Sequence, residues 1–122
     1  MLPDRYFFTE CFEWPSKKML FDLINKYQKS GIILLSGDVH YSQFYHTNCE
    51  SLTGYNIPEL TTSGLTHYAN TFFKVADKCS DRTTPQFWNS SEIFMNFNFG
   101  VSEVKRIKDD IQVKLEVKDN FN

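Results

Sequence analysis

The run Ser36-Gly37-Asp38-Val39-His40-Tyr41 holds the residue types best suited to chemistry in this chain. A carboxylate oxygen and an imidazole nitrogen are standard ligands for a hydrolytic metal ion such as Zn, Mn or Fe. Asp38 and His40 stand two positions apart, so extended backbone sends both side chains to the same side. Gly37 allows the backbone to turn and to approach a ligand closely. The plainer alternative for Asp-x-His at a strand end is a capping Asp beside a structural His.

Other candidates surround this run. His67 follows the hydroxyl-rich loop Thr61-Thr62-Ser63-Gly64-Leu65-Thr66, which can face the same crevice, while the plainer reading is a solvent-exposed or hydrogen-bonded loop histidine. The hydroxyls of Thr62 and Ser63 suit a phosphate, although such loops are often simple turns. His46 lies beyond a short strand and reads as an ordinary solvent-exposed or hydrogen-bonded histidine. Asp109-Asp110 reads as a turn and Lys17-Lys18 as a solvated helix face. The sequence contains no P-loop, no GxSxG and no HExxH.

The elements that must position these residues follow from periodicity. Met19, Leu20, Leu23, Ile24 and Tyr27 recur at helical spacing after Trp14-Pro15-Ser16, which predicts a helix from about Ser16 to Lys29. Gly31 reads as its C-terminal stop. Ile32 to Leu35 is an uninterrupted apolar run, as in a strand buried on both faces. Helix, tight turn and buried strand make half of an α/β crossover unit. In α/β sheets ligands bind outside the carboxyl ends of strands, where Asp38 and His40 fall.

Further on, Tyr41 to His46 reads as a short strand and Asn48 to Asn56 as loop. Ile57 to Thr61 reads as extended, with Pro58 confining it to an edge or a strand start. Asn70 to Asn89 reads mostly as loop. Ile93 to Phe99 alternates with strand periodicity, and Val101 to Ile107 is a second extended segment. After a polar turn at Lys108-Asp109-Asp110, Ile111, Val113, Leu115 and Val117 alternate with polar residues, which completes an antiparallel hairpin.

Composition sets the outer limits. The 122 residues allow one domain or part of one. A hydrophobic share of 41% with 23% charged residues is globular rather than disordered. A net charge of −2 supplies no broad basic surface and argues against nucleic-acid binding. The longest apolar run, Ile32 to Leu35, is too short to span a membrane. Asp4 and Arg5 interrupt the N-terminus before a signal-peptide core can form, so any leader is expected further upstream.

The three cysteines, Cys11, Cys49 and Cys79, lack CxxC spacing, which argues against structural zinc. They read either as three buried thiols or as a Cys49–Cys79 disulfide with Cys11 left over. Asn89-Ser90-Ser91 is an N-glycosylation acceptor. The disulfide reading and Asn89 together lean toward a secreted or other extracytoplasmic compartment.

At Ser36-Gly37-Asp38-Val39-His40 the sequence resembles the C-terminal part of PhoD-like alkaline phosphatases, within the calcineurin-like metallophosphoesterases. Trp14 and the helix ending at Gly31 resemble the family's helix before this strand. The stretch from Gly54 through Pro58 to Thr61-Thr62-Ser63-Gly64-Leu65-Thr66-His67 resembles a further family segment. Asn98-Phe99-Gly100-Val101 and the strand Ile111 to Val117 resemble its closing strands. The resemblance implies an α/β fold, the C-terminal half of an αββα sandwich, and hydrolysis of a phosphoester substrate at a two-metal site. It implies Asp38 and His40 as metal ligands, with His40 in the catalytic set. The ions would be Fe, Ca, Mn or Zn. Their position after the Ser36-to-His40 run places His67, Thr62 and Ser63 at the rim of such a site, as the expected substrate contacts.

The family's other ligands lie in upstream motifs, which these residues do not contain. The expectation is therefore a partial domain over residues 1–122 that is inactive alone. The alternative is a non-catalytic, β-rich interaction module that binds a partner through its aromatic surface.

Overall fold

The computed structural model describes residues 14–47, 49–68, 88–90 and 93–119. Within them the chain is mixed α/β, with one main helix and mostly antiparallel strands. The elements run α1 (Trp14–Lys26), β1 (Leu34–Ser36), β2 (Ser42–Thr47), α2 (Glu50–Thr53), β3 (Pro58–Thr62), β4 (Trp88–Ser90), β5 (Asn98–Ile107) and β6 (Asp110–Asp119). Four strands form one sheet in the order β1-β3-β2-β4, and β5-β6 form a separate hairpin.

Helix α1 begins with Pro15 in its first turn, where the missing N–H costs nothing. It ends at Lys26, three residues before the expected stop. Gln28 takes a left-handed φ of 47°, Gln28 N donates to Asn25 O and Lys29 N donates to Ile24 O. That pair of bonds is a Schellman closure, built on Gln28 rather than on Gly31.

The inward face of α1 also differs from the expected stripe. Phe21 and Ile24 are buried with Cys49 and Ile57, surrounded by Leu20, Ile32, Leu34, Leu52 and Tyr55. Lys17 is fully buried, which overturns its reading as part of a solvated face. Helical arithmetic explains it, since Lys17 stands four before Phe21 and seven before Ile24. Met19, Leu23 and Tyr27 are exposed instead. On the outer face Lys18 pairs with Asp22 at 2.7 Å, one helical turn apart.

Strand β1 is an edge strand, and only the face that carries Leu34 packs on the helix, so the expectation of burial on both faces fails at Leu35, which is 61% exposed. It pairs in parallel with β3, Ser36 opposite Thr61. β3 is central, with β2 antiparallel on its other side. Pro58 stands at the first position of β3, where its missing donor is tolerated. Alternation places Ser36, Gln43, Tyr45, Glu59 and Thr61 on one face of the sheet. Leu34 shares this face and packs on the apolar cluster, and the polar members are covered too: Glu59 and Thr61 are essentially inaccessible. Ser36 Oγ donates to Glu59 Oε1 at 2.6 Å and shares a 2.6 Å hydrogen bond with Thr61 Oγ1. Tyr45 OH donates to Gln43 Oε1 on the same face.

Two elements appear where loop was expected. α2 is one helical turn closed by Gly54 in the left-handed region (φ 81°), whose N–H bonds Glu50 O. β4 pairs with β2, Asn89 opposite His46. A two-strand pairing of three residues leaves no period of its own in the sequence. The strand expected over Ile93 to Phe99 reduces to a single bridge, Phe94 to Ser42, before β5 begins at Asn98. β5 then runs straight through Gly100, because the strand must lie against the sheet there. A Cβ on Gly100 would meet the Thr62 methyl and stand 3.5 Å from Leu60 Cδ2. The hairpin turn is Lys108-Asp109, with Lys108 left-handed at φ 55°.

Among the described residues no helix is long and apolar enough to cross a membrane.

Candidate functional site

Parallel pairing of β1 and β3 decides where the candidate residues meet. Both strands end at the same edge of the sheet, β1 at Ser36 and β3 at Thr62. The segments that leave this edge, 37–41 and 63–68, carry Asp38, His40, Ser63 and His67. This is the carboxyl-end location that suits ligands in α/β sheets.

The backbone of the first segment is a turn, in contrast to the extended form expected for Asp38 and His40. Asp38 has φ 70° and His40 has φ 58°, both in the left-handed region. Asp and His tolerate that region better than most side chains, but it remains uncommon for them. Gly37 is used for space. A Cβ there would stand 3.3 Å from Thr62 O and 3.4 Å from Ser63 Cβ, so the two strand ends approach closely.

Ser63 links the two segments. Its Oγ accepts hydrogen bonds from Val39 N at 3.0 Å and His40 N at 2.9 Å. The Thr62 hydroxyl is engaged as well, donating to Asn98 Oδ1 at 3.2 Å. His67 stands near His40, with ring centroids 5.9 Å apart and planes tilted by 54°. Its Nδ1 lies 3.0 Å from Thr66 Oγ1. Asp38, His40 and His67 are all exposed, as an open edge requires.

Asn98 is the residue that sequence reasoning passed over. Its side chain is buried and its Oδ1 accepts from Ser42 Oγ (2.5 Å), Thr62 Oγ1 (3.2 Å) and Gly64 N (3.2 Å). Its Nδ2 donates to Asn96 O at 2.6 Å, and its backbone N donates to Gly64 O at 3.0 Å. One amide thus ties the start of β2, the end of β3 and the root of the 63–68 segment to the hairpin. Gly64 is required by this packing, since a Cβ would fall on the Asn98 amide and 2.9 Å from Asn96 O. Tyr68 adds an edge-on contact with Phe97, centroids 4.8 Å apart. A lone Asn at a strand start carries no sequence signal for such a role.

The other candidates lie elsewhere. His46 is exposed near the end of β2, opposite Pro58 at the start of β3, and so at the other end of the sheet from Asp38 and His40. Cys49 is buried beside α2, its sulfur 3.5 Å from Thr53 Oγ1. Its expected partner Cys79 lies outside the described residues, as do Cys11 and Ser91 of the glycosylation triplet. Asn89 lies in β4.

A carboxylate with one or two imidazoles suits Zn, Mn or Fe better than Ca, which prefers oxygen ligands. Among the described residues no group of three or more His, Cys, Asp or Glu is placed to hold a metal ion. Asp38 and His40 are thus donors of suitable type on one turn, without a third such residue beside them among the described residues. No protein-family model, no curated protein and no solved structure matches this chain.

Proposed function

We propose that the chain serves metal-dependent phosphoester hydrolysis of the PhoD-like kind, as part of a metallophosphoesterase αββα sandwich. Asp38 and His40 act as ligands in a binuclear site, and other residues complete the coordination. One observation supports this above the rest. Two non-glycine residues of ligand type sit left-handed within three positions, just past the carboxyl end of β1 and beside that of its parallel neighbour β3. Such conformations persist only where surrounding structure holds them, and they cluster at functional sites.

When bound, the metal pair supplies an activated water or hydroxide and neutralises charge on the phosphoryl oxygens. The protein's own part is to present and orient. The Asp38 carboxylate and His40 imidazole project from a braced turn. The exposed His67 ring stands at the rim, within reach of a group bound at the same edge.

The test is hydrolysis of a phosphomonoester and a phosphodiester by the protein at its native cellular length, with Mn, Zn, Fe and Ca supplied in turn. Turnover above the metal-only blank is expected. Loss of a first ligand exceeds the cost of losing an outer-shell partner, so Asp38→Asn and His40→Ala are expected to lower it at least about 100-fold. Turnover at the blank level, or unchanged rates in both variants, overturns the reading.

A second reading, a non-catalytic interaction module, is favoured by the hairpin. Val104 and Ile111 share one face of it with Val113 and are 64% and 65% exposed. The same assay separates the two, since this reading predicts no turnover.

A further inference from the structure

We infer that Ser63 is a positioning residue whose hydroxyl oxygen braces the turn that presents Asp38 and His40. The use of that turn for metal binding rests on the function proposed above, whereas the brace itself stands on geometry. Val39 and His40 lie between the end of β1 and the start of β2, where no strand ladder takes their N–H groups. A serine hydroxyl has two acceptor lone pairs and one proton. Here both lone pairs serve, one to Val39 N–H and one to His40 N–H. What remains to Ser63 is donation of its proton.

Two consecutive N–H groups converging on one oxygen hold both peptides that flank Val39, the Asp38–Val39 peptide and the Val39–His40 peptide. These two peptides join the left-handed residues Asp38 and His40, so holding them sets the direction in which each side chain leaves. The brace is itself anchored from both sides. Thr62, just before Ser63, donates to Asn98 Oδ1, and Gly64, just after, bonds Asn98 through both its N–H and its carbonyl. The hairpin therefore holds Asn98, Asn98 holds the strand end, and Ser63 holds the turn. Substituting Ala removes both acceptors without adding volume. Substituting Thr retains the hydroxyl.

The experiment is amide hydrogen exchange by NMR on the chain and on Ser63→Ala and Ser63→Thr, followed by Mn2+ titration read as paramagnetic broadening. Ser63→Ala is expected to speed exchange at Val39 and His40 at least about tenfold, with the β5 and β6 amides unchanged. It is also expected to raise the Mn2+ concentration needed for broadening near Asp38 and His40 about tenfold. Ser63→Thr restores both. Wild-type exchange at the two amides in Ser63→Ala overturns the brace. Faster exchange with unchanged Mn2+ response overturns its role in presenting the ligands. Where Ala prevents folding, Ser63→Cys, with its weak acceptor sulfur, is expected to give intermediate exchange, and wild-type exchange there counts against the brace. Wild-type broadening that Asp38→Asn leaves intact defeats the metal reading alone, while the two amides still decide the brace.

Discussion

β5 and β6 pair without a break over ten residues each, whereas the longest strand of the four-stranded sheet has six. The hairpin is regular, mostly exposed and stabilised by neighbours close in sequence. One face carries Lys105–Glu103, Lys114–Glu116 and Lys118–Glu116 ion pairs at 2.9, 2.8 and 3.6 Å, all in solvent. The sheet is short and irregular, and its polar groups are buried and bonded across long stretches of chain. Ser36 reaches Glu59 and Thr61, Val39 and His40 reach Ser63, and Ser42 reaches Asn98. Regularity here marks the part of the hairpin beyond Asn98 and Gly100, where pairing is local. The candidate site lies where long-range hydrogen bonds replace it.

The contrast is breakable by substitution. The largest expected effect is Phe21→Ala, which empties a fully buried position under the sheet; a loss of about 3–5 kcal/mol in denaturant unfolding is expected. Asn98→Ala follows. It strands Ser42, Thr62 and Gly64 without their shared acceptor, and a loss of about 2–4 kcal/mol is expected in the same measurement. Gly64→Ala forces a methyl into the Asn98 amide and is expected to cost about 1–3 kcal/mol. Against these, Val104→Thr on the hairpin is expected to change stability by under about 0.5 kcal/mol. Equal losses for Asn98→Ala and Val104→Thr would erase the contrast.

The smallest effect is in the charges. A hydrogen bond from Lys114 holds the Glu116 carboxyl below its ordinary value, and Glu116 in turn raises Lys114. Glu116 therefore stabilises the hairpin above its unfolded value near 4.5, and that contribution drains as pH falls through its lower folded value. Lys114 contributes below 10.5 and loses its share as pH rises through its raised folded value. Both groups are exposed, so the effect on stability is small. Titrating the Glu116 carboxyl by NMR is expected to show a midpoint below 4.5 that moves upward in Lys114→Gln.

What the sequence disclosed follows the same division. The β6 alternation of Ile111, Val113, Leu115 and Val117 is visible because one face is apolar and the other charged. α1 was legible as a helix, but its inner face was misplaced, because Lys17 is an unlikely inward residue until its spacing to Phe21 and Ile24 is counted. β4 was hidden because its pairing with β2 is purely tertiary. At the site, Asp38, His40 and His67 stood out by residue type. Asn98 and the bracing use of Ser63 did not, since both depend on which atoms meet across the fold.

The central claim is that Asp38 and His40 ligate a metal ion at the carboxyl ends of β1 and β3. The most direct measurement is an anomalous difference map from crystals of the protein soaked in Mn2+ or Zn2+. The account predicts a peak about 2.0–2.2 Å from both an Asp38 carboxylate oxygen and a His40 ring nitrogen. A map with metal bound elsewhere and none between these two side chains contradicts it.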